Sequence, residues 1–102
     1  MPTKDKVLIG QAEWTAAIGE PTRLGILFLL TRGEHTVTNI ATELRVELVN
    51  ISHHLKLLRQ AGLVSSVKDG RLMIYSLVGA KVAGGKLELS HPSGVKVTLP
   101  LP

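Results

Sequence analysis

The order of apolar and polar positions divides the chain into a helical first part and an alternating last part. From Ile40 to Val64 the run IATELRVELVNISHHLKLLRQAGLV carries two helical patterns separated by a break at Arg45-Val46-Glu47, the arrangement of a helix-turn-helix. In its second half Ile51, Leu55 and Leu58 recur at steps of four and three and form one apolar stripe. Val49, His53, Lys56 and Gln60 then fall on the far side, with Asn50 and Ser52 flanking them. Gly62 is suited to close this helix in a left-handed cap. A helix held by leucines on one side, and polar and basic on the other, has the form that enters a DNA major groove.

Upstream, Val7, Leu8, Trp14 and Ile18 fall at helical spacings, which predicts a first helix over residues 5 to 18, ended by Gly19. Trp14 reads as a core or dimer-interface residue, since a lone tryptophan has no aromatic partners with which to cage a ligand. A second helix begins at Glu20-Pro21-Thr22, with Pro21 in the first turn, where a missing N–H costs nothing. Leu24 and the run Ile26 to Leu30 leave no polar face, so this helix belongs at the centre of the domain. Gly25 within it predicts close packing against a neighbour, and Arg23 near its start reads as part of a solvated or structural ion pair. After a loop through His35, Thr36 or Thr38 caps a third helix ending at Leu44. Val46 then inserts between the third helix and the fourth as an apolar staple.

Beyond Gly62 the period changes to two. LVSSVKD and RLMIYSLV flank Asp69-Gly70, a strong signal for a hairpin. Lys68 and Arg71 sit beside its tip, within reach of a phosphate or a minor groove. From Gly79 the stretch GAKVAGG reads as small and flexible. Leu87 and Leu89, then Val95, Val97 and Leu99, alternate around His91-Pro92-Ser93-Gly94 and predict a second hairpin, with a flexible tail as the alternative. The expected fold is therefore α+β, with four helices, a hairpin wing and a C-terminal hairpin. Residues 1–78 form the wing-bearing domain and 79–102 an extension.

Composition narrows the chemistry. With 102 residues, 44% of them hydrophobic and 20% charged, the chain has the make-up of one soluble globular domain. Its single Trp, Tyr and Phe make an aliphatic core and leave no row of stacking aromatics for single-stranded nucleic acid. A net charge of +4 suits a polyanionic partner. The absence of cysteine excludes disulfides, thiolate metal sites and thiol redox switching. Leu24 to Leu30 is too short to span a bilayer and no targeting segment is evident, so a cytoplasmic location is expected. His53 and His54 are about 100° apart on one helix and do not easily share an ion. His35 and His91 lie in expected loops without ligand-type neighbours, so no metal and no cofactor are expected. No glycine-rich phosphate loop and no nucleophile with a matched base is present, so an enzyme is not expected.

Taken together, EPTRLGILFLL, TVTNIATEL, NISHHLKLLRQAGLV and DGRLMIYSL resemble the ArsR/SmtB-type winged-helix repressors over about residues 12 to 78. The resemblance implies a homodimeric, sequence-specific repressor that binds a pseudo-palindromic double-stranded DNA operator and is released by an effector. By this likeness Ser52 and His53 match the family's base-facing pair. Val49 is placed to touch a thymine methyl, Asn50 to contact base or phosphate, and Lys56, Lys68 and Arg71 to contact phosphates. Val7, Leu8 and Trp14 are the candidates for the dimer interface. Two departures stand out. Where metal-sensing relatives carry an ELCVCD-like motif, this chain has TVTNIAT, and where relatives end in a long helix, it has β-type alternation with only His91. The alternatives in another class are a winged-helix module that docks a protein partner without binding DNA, or a dimerisation domain severed from an enzyme such as a methyltransferase.

Overall fold

The computed structural model describes residues 5–102. Four helices come first in the chain, α1 (Lys6–Ile18), α2 (Pro21–Leu30), α3 (Val37–Leu44) and α4 (Leu48–Ala61), and a two-residue strand, β1 (His35–Thr36), precedes α3. Strands β2 (Val64–Asp69), β3 (Leu72–Leu77), β4 (Ala80–Ala83), β5 (Lys86–Ser90) and β6 (Lys96–Pro100) follow.

The helices begin where side chains can satisfy their first amides. The Asp5 carboxylate accepts from Val7 N at 2.9 Å and Leu8 N at 3.3 Å. Glu20 accepts from Thr22 N and Arg23 N at 2.9 and 3.0 Å. Thr36, rather than Thr38, caps α3 by accepting from Asn39 N at 3.2 Å. Each such cap is worth about 1 kcal/mol. Arg45 closes α3 with φ 55, and Gly62 closes α4 with φ 83.

One core joins all four helices to both sheets. Trp14 and Ile18 of α1, Ile26 and Leu27 of α2, Ile40 of α3, and the α4 stripe Ile51, Leu55 and Leu58 are all buried. Val46 is half-buried against them, as the staple requires. Leu87 and Leu89 of β5 belong to the same cluster and are fully buried, each worth about 1.5–3 kcal/mol relative to exposure. Gly25 meets α3 at ordinary van der Waals distance, a Cβ there lying 3.7 Å from the Leu44 methyls.

The first sheet has the order β1-β3-β2 and carries the wing. Asp69 pairs with Leu72, so the tip is Gly70-Arg71 rather than Asp69-Gly70. Gly70 has φ 62 and supplies the positive φ at the first central position of a type II′ turn. His35, expected in a loop, pairs instead with Tyr75 and caps the inner edge of β3.

The end of the chain is more ordered than its composition suggests. The stretch read as flexible supplies β4, which pairs with β5 to make a three-stranded meander, β4-β5-β6, rather than a two-stranded hairpin. The cause is Gly84-Gly85. Both glycines have positive φ, 59 and 72, the requirement of a two-residue type I′ turn closing Ala83 on Lys86. The meander docks on α1, where the His91 ring meets the edge of Trp14 at 5.5 Å and Gln11 Nε2 donates to Ser93 Oγ at 3.1 Å.

Candidate nucleic-acid interface

The apolar stripe of α4 fixes which side of that helix faces outward. With Ile51, Leu55 and Leu58 buried, Val49, Asn50, Ser52, His53 and Lys56 are all exposed on one helix. Val49 keeps 68% of its surface and Leu48 51%, so the outward face begins apolar and becomes polar and basic towards Lys56. Among the described residues, side-chain hydrogen bonds from α4 are made by His54 and Arg59, and the outward set makes none. A rigid scaffold carrying uncommitted polar side chains is suited to reading base edges.

α4 also differs from the other three helices at its start. Asp5, Glu20 and Thr36 cap their helices, whereas Glu47 makes no side-chain cap. Asn50 N and Ile51 N already donate to Glu47 O, so among the helical residues Leu48 N and Val49 N remain available to an incoming acceptor, with the positive end of the helix dipole behind them. The Glu47 carboxylate at the same end opposes an anion and restrains this attraction.

Two contacts hold α4 in its orientation. At its middle, the half-buried His54 takes part in a cluster with Arg23 and Glu20. Arg23 Nε donates to Ala17 O at 2.8 Å and Nη1 lies 3.2 Å from His54 Nδ1. A guanidinium can only donate, so Nδ1 accepts wherever this hydrogen bond forms, while a protonated ring would turn Nδ1–H to the Glu20 carboxylate instead. The Glu20 carboxylate stands 3.8 Å from Arg23 Nη1 and 3.4 Å from His54 Nδ1. Partial burial pushes the Glu20 carboxyl up, but the amides of Thr22 and Arg23, and the charges of His54 (when protonated) and Arg23, outweigh it and hold the group below its ordinary value. At the end of α4, Arg59 Nη1 donates to Ser66 Oγ at 3.3 Å and ties the helix to the wing. Leu63 N donates to Leu58 O, and Val78 N to Leu63 O, so the root of the wing is bonded to the end of α4.

At the wing tip Lys68 and Arg71 are exposed, as are the apolar Val67 and Leu72. Trp14, proposed from sequence as a core or interface residue, is 1% exposed and is enclosed by its own chain, whereas Val7 and Leu8 are exposed on α1. Among the described residues no group of three or more His, Asp or Glu side chains comes together to hold a metal ion. No helix among them is long and apolar enough to cross a membrane.

By sequence, Arg45 is a turn residue only. Its φ of 55 is the one positive φ of a non-glycine residue among those described, and it costs about 1–2 kcal/mol relative to an ordinary conformation. Arg45 is exposed immediately before the uncapped start of α4. A basic residue in a helix-turn-helix turn was the available signal.

Known proteins share this arrangement. Residues 20–66 match the family described as "Bacterial regulatory protein, arsR family". The chain is similar to the transcriptional repressor SdpR of Bacillus subtilis, with 43% identity over 61 residues, 60% of this chain and 68% of that protein. It is equally similar, at 43% identity over 72 residues, to an uncharacterized HTH-type transcriptional regulator of Methanocaldococcus jannaschii, covering 70% of this chain and 81% of the relative. Among solved structures, the homodimeric winged helix-turn-helix DNA-binding domain of a possible ArsR-family regulator from Mycobacterium bovis superposes with a TM-score of 0.71 at 33% identity, over 78% of this chain and 73% of that one. HlyU from Vibrio cholerae gives 0.66 at 28% identity, over 72% and 80%.

Proposed function

The chain belongs to the ArsR family of bacterial regulatory proteins, and from that premise we propose that it is a sequence-specific double-stranded DNA-binding transcriptional regulator, acting as a homodimeric repressor in the cytoplasm. The observation that carries the reading is the outward face of α4, which presents Val49, Asn50, Ser52, His53 and Lys56 on a helix held from behind by three buried aliphatic residues. Ser52 and His53 read base edges, and Asn50 contacts base or phosphate. Val49 and its exposed neighbour Leu48 lie against thymine methyls and favour A·T pairs at that end of each half-site. Lys56, the wing residues Lys68 and Arg71, and Arg45 contact phosphates, which fix register and make affinity depend on salt. Val7 and Leu8 contribute to the contact between two copies. The protein acts by occupying DNA and not as an enzyme.

Nuclease footprinting on the DNA upstream of its own gene tests this reading. Two protected half-sites whose centres lie ~34 Å apart, or a multiple of it, are expected of a helix-turn-helix dimer. No protected site, or affinity that does not change between low and moderate salt, would overturn it.

A further inference from the structure

The C-terminal meander ends in two free edges, and they differ. Ser90 N donates to Gly79 O at 2.8 Å, and antiparallel ladders alternate bonded and non-bonded pairs, so Lys81 and Ala83 aim their backbone groups at β5. Ala80 and Val82 aim theirs outward. On the other edge His91 N donates to Val95 O, which by the same alternation turns Lys96, Thr98 and Pro100 outward. That edge is guarded by a lysine and by a proline that cannot donate. β4 is short and carries Lys81, but that residue turns its backbone to β5, and no proline blocks the free groups of Ala80 and Val82; all four residues of the strand are exposed.

We infer that β4 is a docking edge for a second copy of this chain, paired antiparallel about Val82 so that two meanders join into one six-stranded sheet. Residues opposite one another across a two-fold must share a face, which leaves two central registers. Centring on Lys81 sets two lysines directly opposite, a like-charge pair that disfavours the register. Centring on Val82 exchanges both Val82 hydrogen bonds between the copies and sets Lys81 opposite the partner's Ala83. It also sets Val82, 48% exposed, against its own counterpart on the apolar side of the sheet. On that side Val82 lines an open hollow of about 580 Å³ together with Phe28, Leu29, Leu44 and Leu101, with Arg32 and Glu43 also on its walls. Pairing withdraws the two exposed Val82 side chains from water, so apolar burial adds to the strand pairing. The inference rests on the homodimer reading only in taking a second copy as the partner, and it makes no use of DNA binding.

The chain has no cysteine, so a single introduced thiol reports one position. In the Val82 register the two copies of residue 82 have Cα atoms about 5.5 Å apart, within disulfide range, whereas the two copies of residue 81 are about 8 Å apart and outside it. Mild oxidation of full-length V82C should give a covalent dimer at least about tenfold faster than K81C, and V82K should weaken self-association about tenfold or more by light scattering. Faster cross-linking of K81C overturns the register. A protein that dimerises without cross-linking at residue 82 overturns the docking edge and leaves the homodimer standing, while a monomeric protein overturns both.

Discussion

Replacing Arg23 with Met keeps the length and apolar stem of the side chain and removes its charge and donors. The wild-type group is 15% exposed, so water replaces little of what is lost. Its bond to Ala17 O, 2.8 Å long, is charge-assisted and worth about 1.5–3 kcal/mol. A cation at the end of α1 adds about 0.3–1 kcal/mol through the helix dipole. The contact with Glu20 at 3.8 Å is partly exposed and adds less than about 1 kcal/mol. These terms share one group and do not add, so the expected loss is about 2–3 kcal/mol, with Arg23→Lys intermediate. Urea unfolding monitored by far-ultraviolet circular dichroism measures it, and the emission of Trp14 gives a second probe of the same transition. A double-mutant cycle with His54→Ala should show coupling of at least about 0.5 kcal/mol. If Arg23→Met lies within about 0.5 kcal/mol of wild type, the cluster does not anchor α4 and the reasoning fails.

Other outcomes follow from the same structure. Because the Glu20 carboxyl is held below its ordinary value of 4.5, its contribution is fully present above that pH and is lost as pH falls through the lower folded value. Acid titration of stability should therefore be less steep below pH 4.5 in Glu20→Gln than in wild type, and parallel curves would refute this assignment. At Gly79, φ is 64 and an added Cβ would lie 2.6 Å from Ser90 O, so Gly79→Ala should lose about 2–4 kcal/mol in urea unfolding through left-handed strain and a broken β4–β5 contact. Gly25→Ala, in contrast, finds ordinary contact distances at Leu44 and should gain up to about 1 kcal/mol of helix propensity. Leu87→Ala should cost about 2–5 kcal/mol if β5 is part of the common core, and calorimetry should show one transition rather than two. Arg45→Gly should leave stability unchanged or raise it by about 1 kcal/mol while weakening DNA binding in a mobility-shift titration.

Much of the fold was legible because local signals agreed with the packing. The spacing of Ile51, Leu55 and Leu58 fixed the inward face of α4, and the apolar run of α2 marked it as central. The wing followed from alternation on either side of Asp69-Gly70, although the turn itself moved one residue on, to Gly70-Arg71. The C-terminal segment was only half legible. Gly84-Gly85 reads equally as a flexible linker or as a type I′ turn, and only pairing of Ala80–Ala83 against β5 decides between them. His35 became a strand residue through the distant partner Tyr75, which no local pattern specifies. At the candidate site the exposed residues of α4 could be enumerated from helix geometry. The Arg23–His54 contact could not, because it joins residues 31 apart in sequence.

The proposed division of labour on DNA is tested most directly by comparing affinities for the upstream site and for unrelated DNA of equal length, at several salt concentrations. Wild type should bind its own site at least ~10³-fold tighter than unrelated DNA. The double variant Ser52→Ala, His53→Ala should lose most of that ratio while keeping salt-dependent binding to both. Lys68→Ala, Arg71→Ala should weaken both alike and reduce the salt slope by about 1–2. A Ser52, His53 double variant that retains the full ratio would contradict the assignment of this face of α4 to base reading.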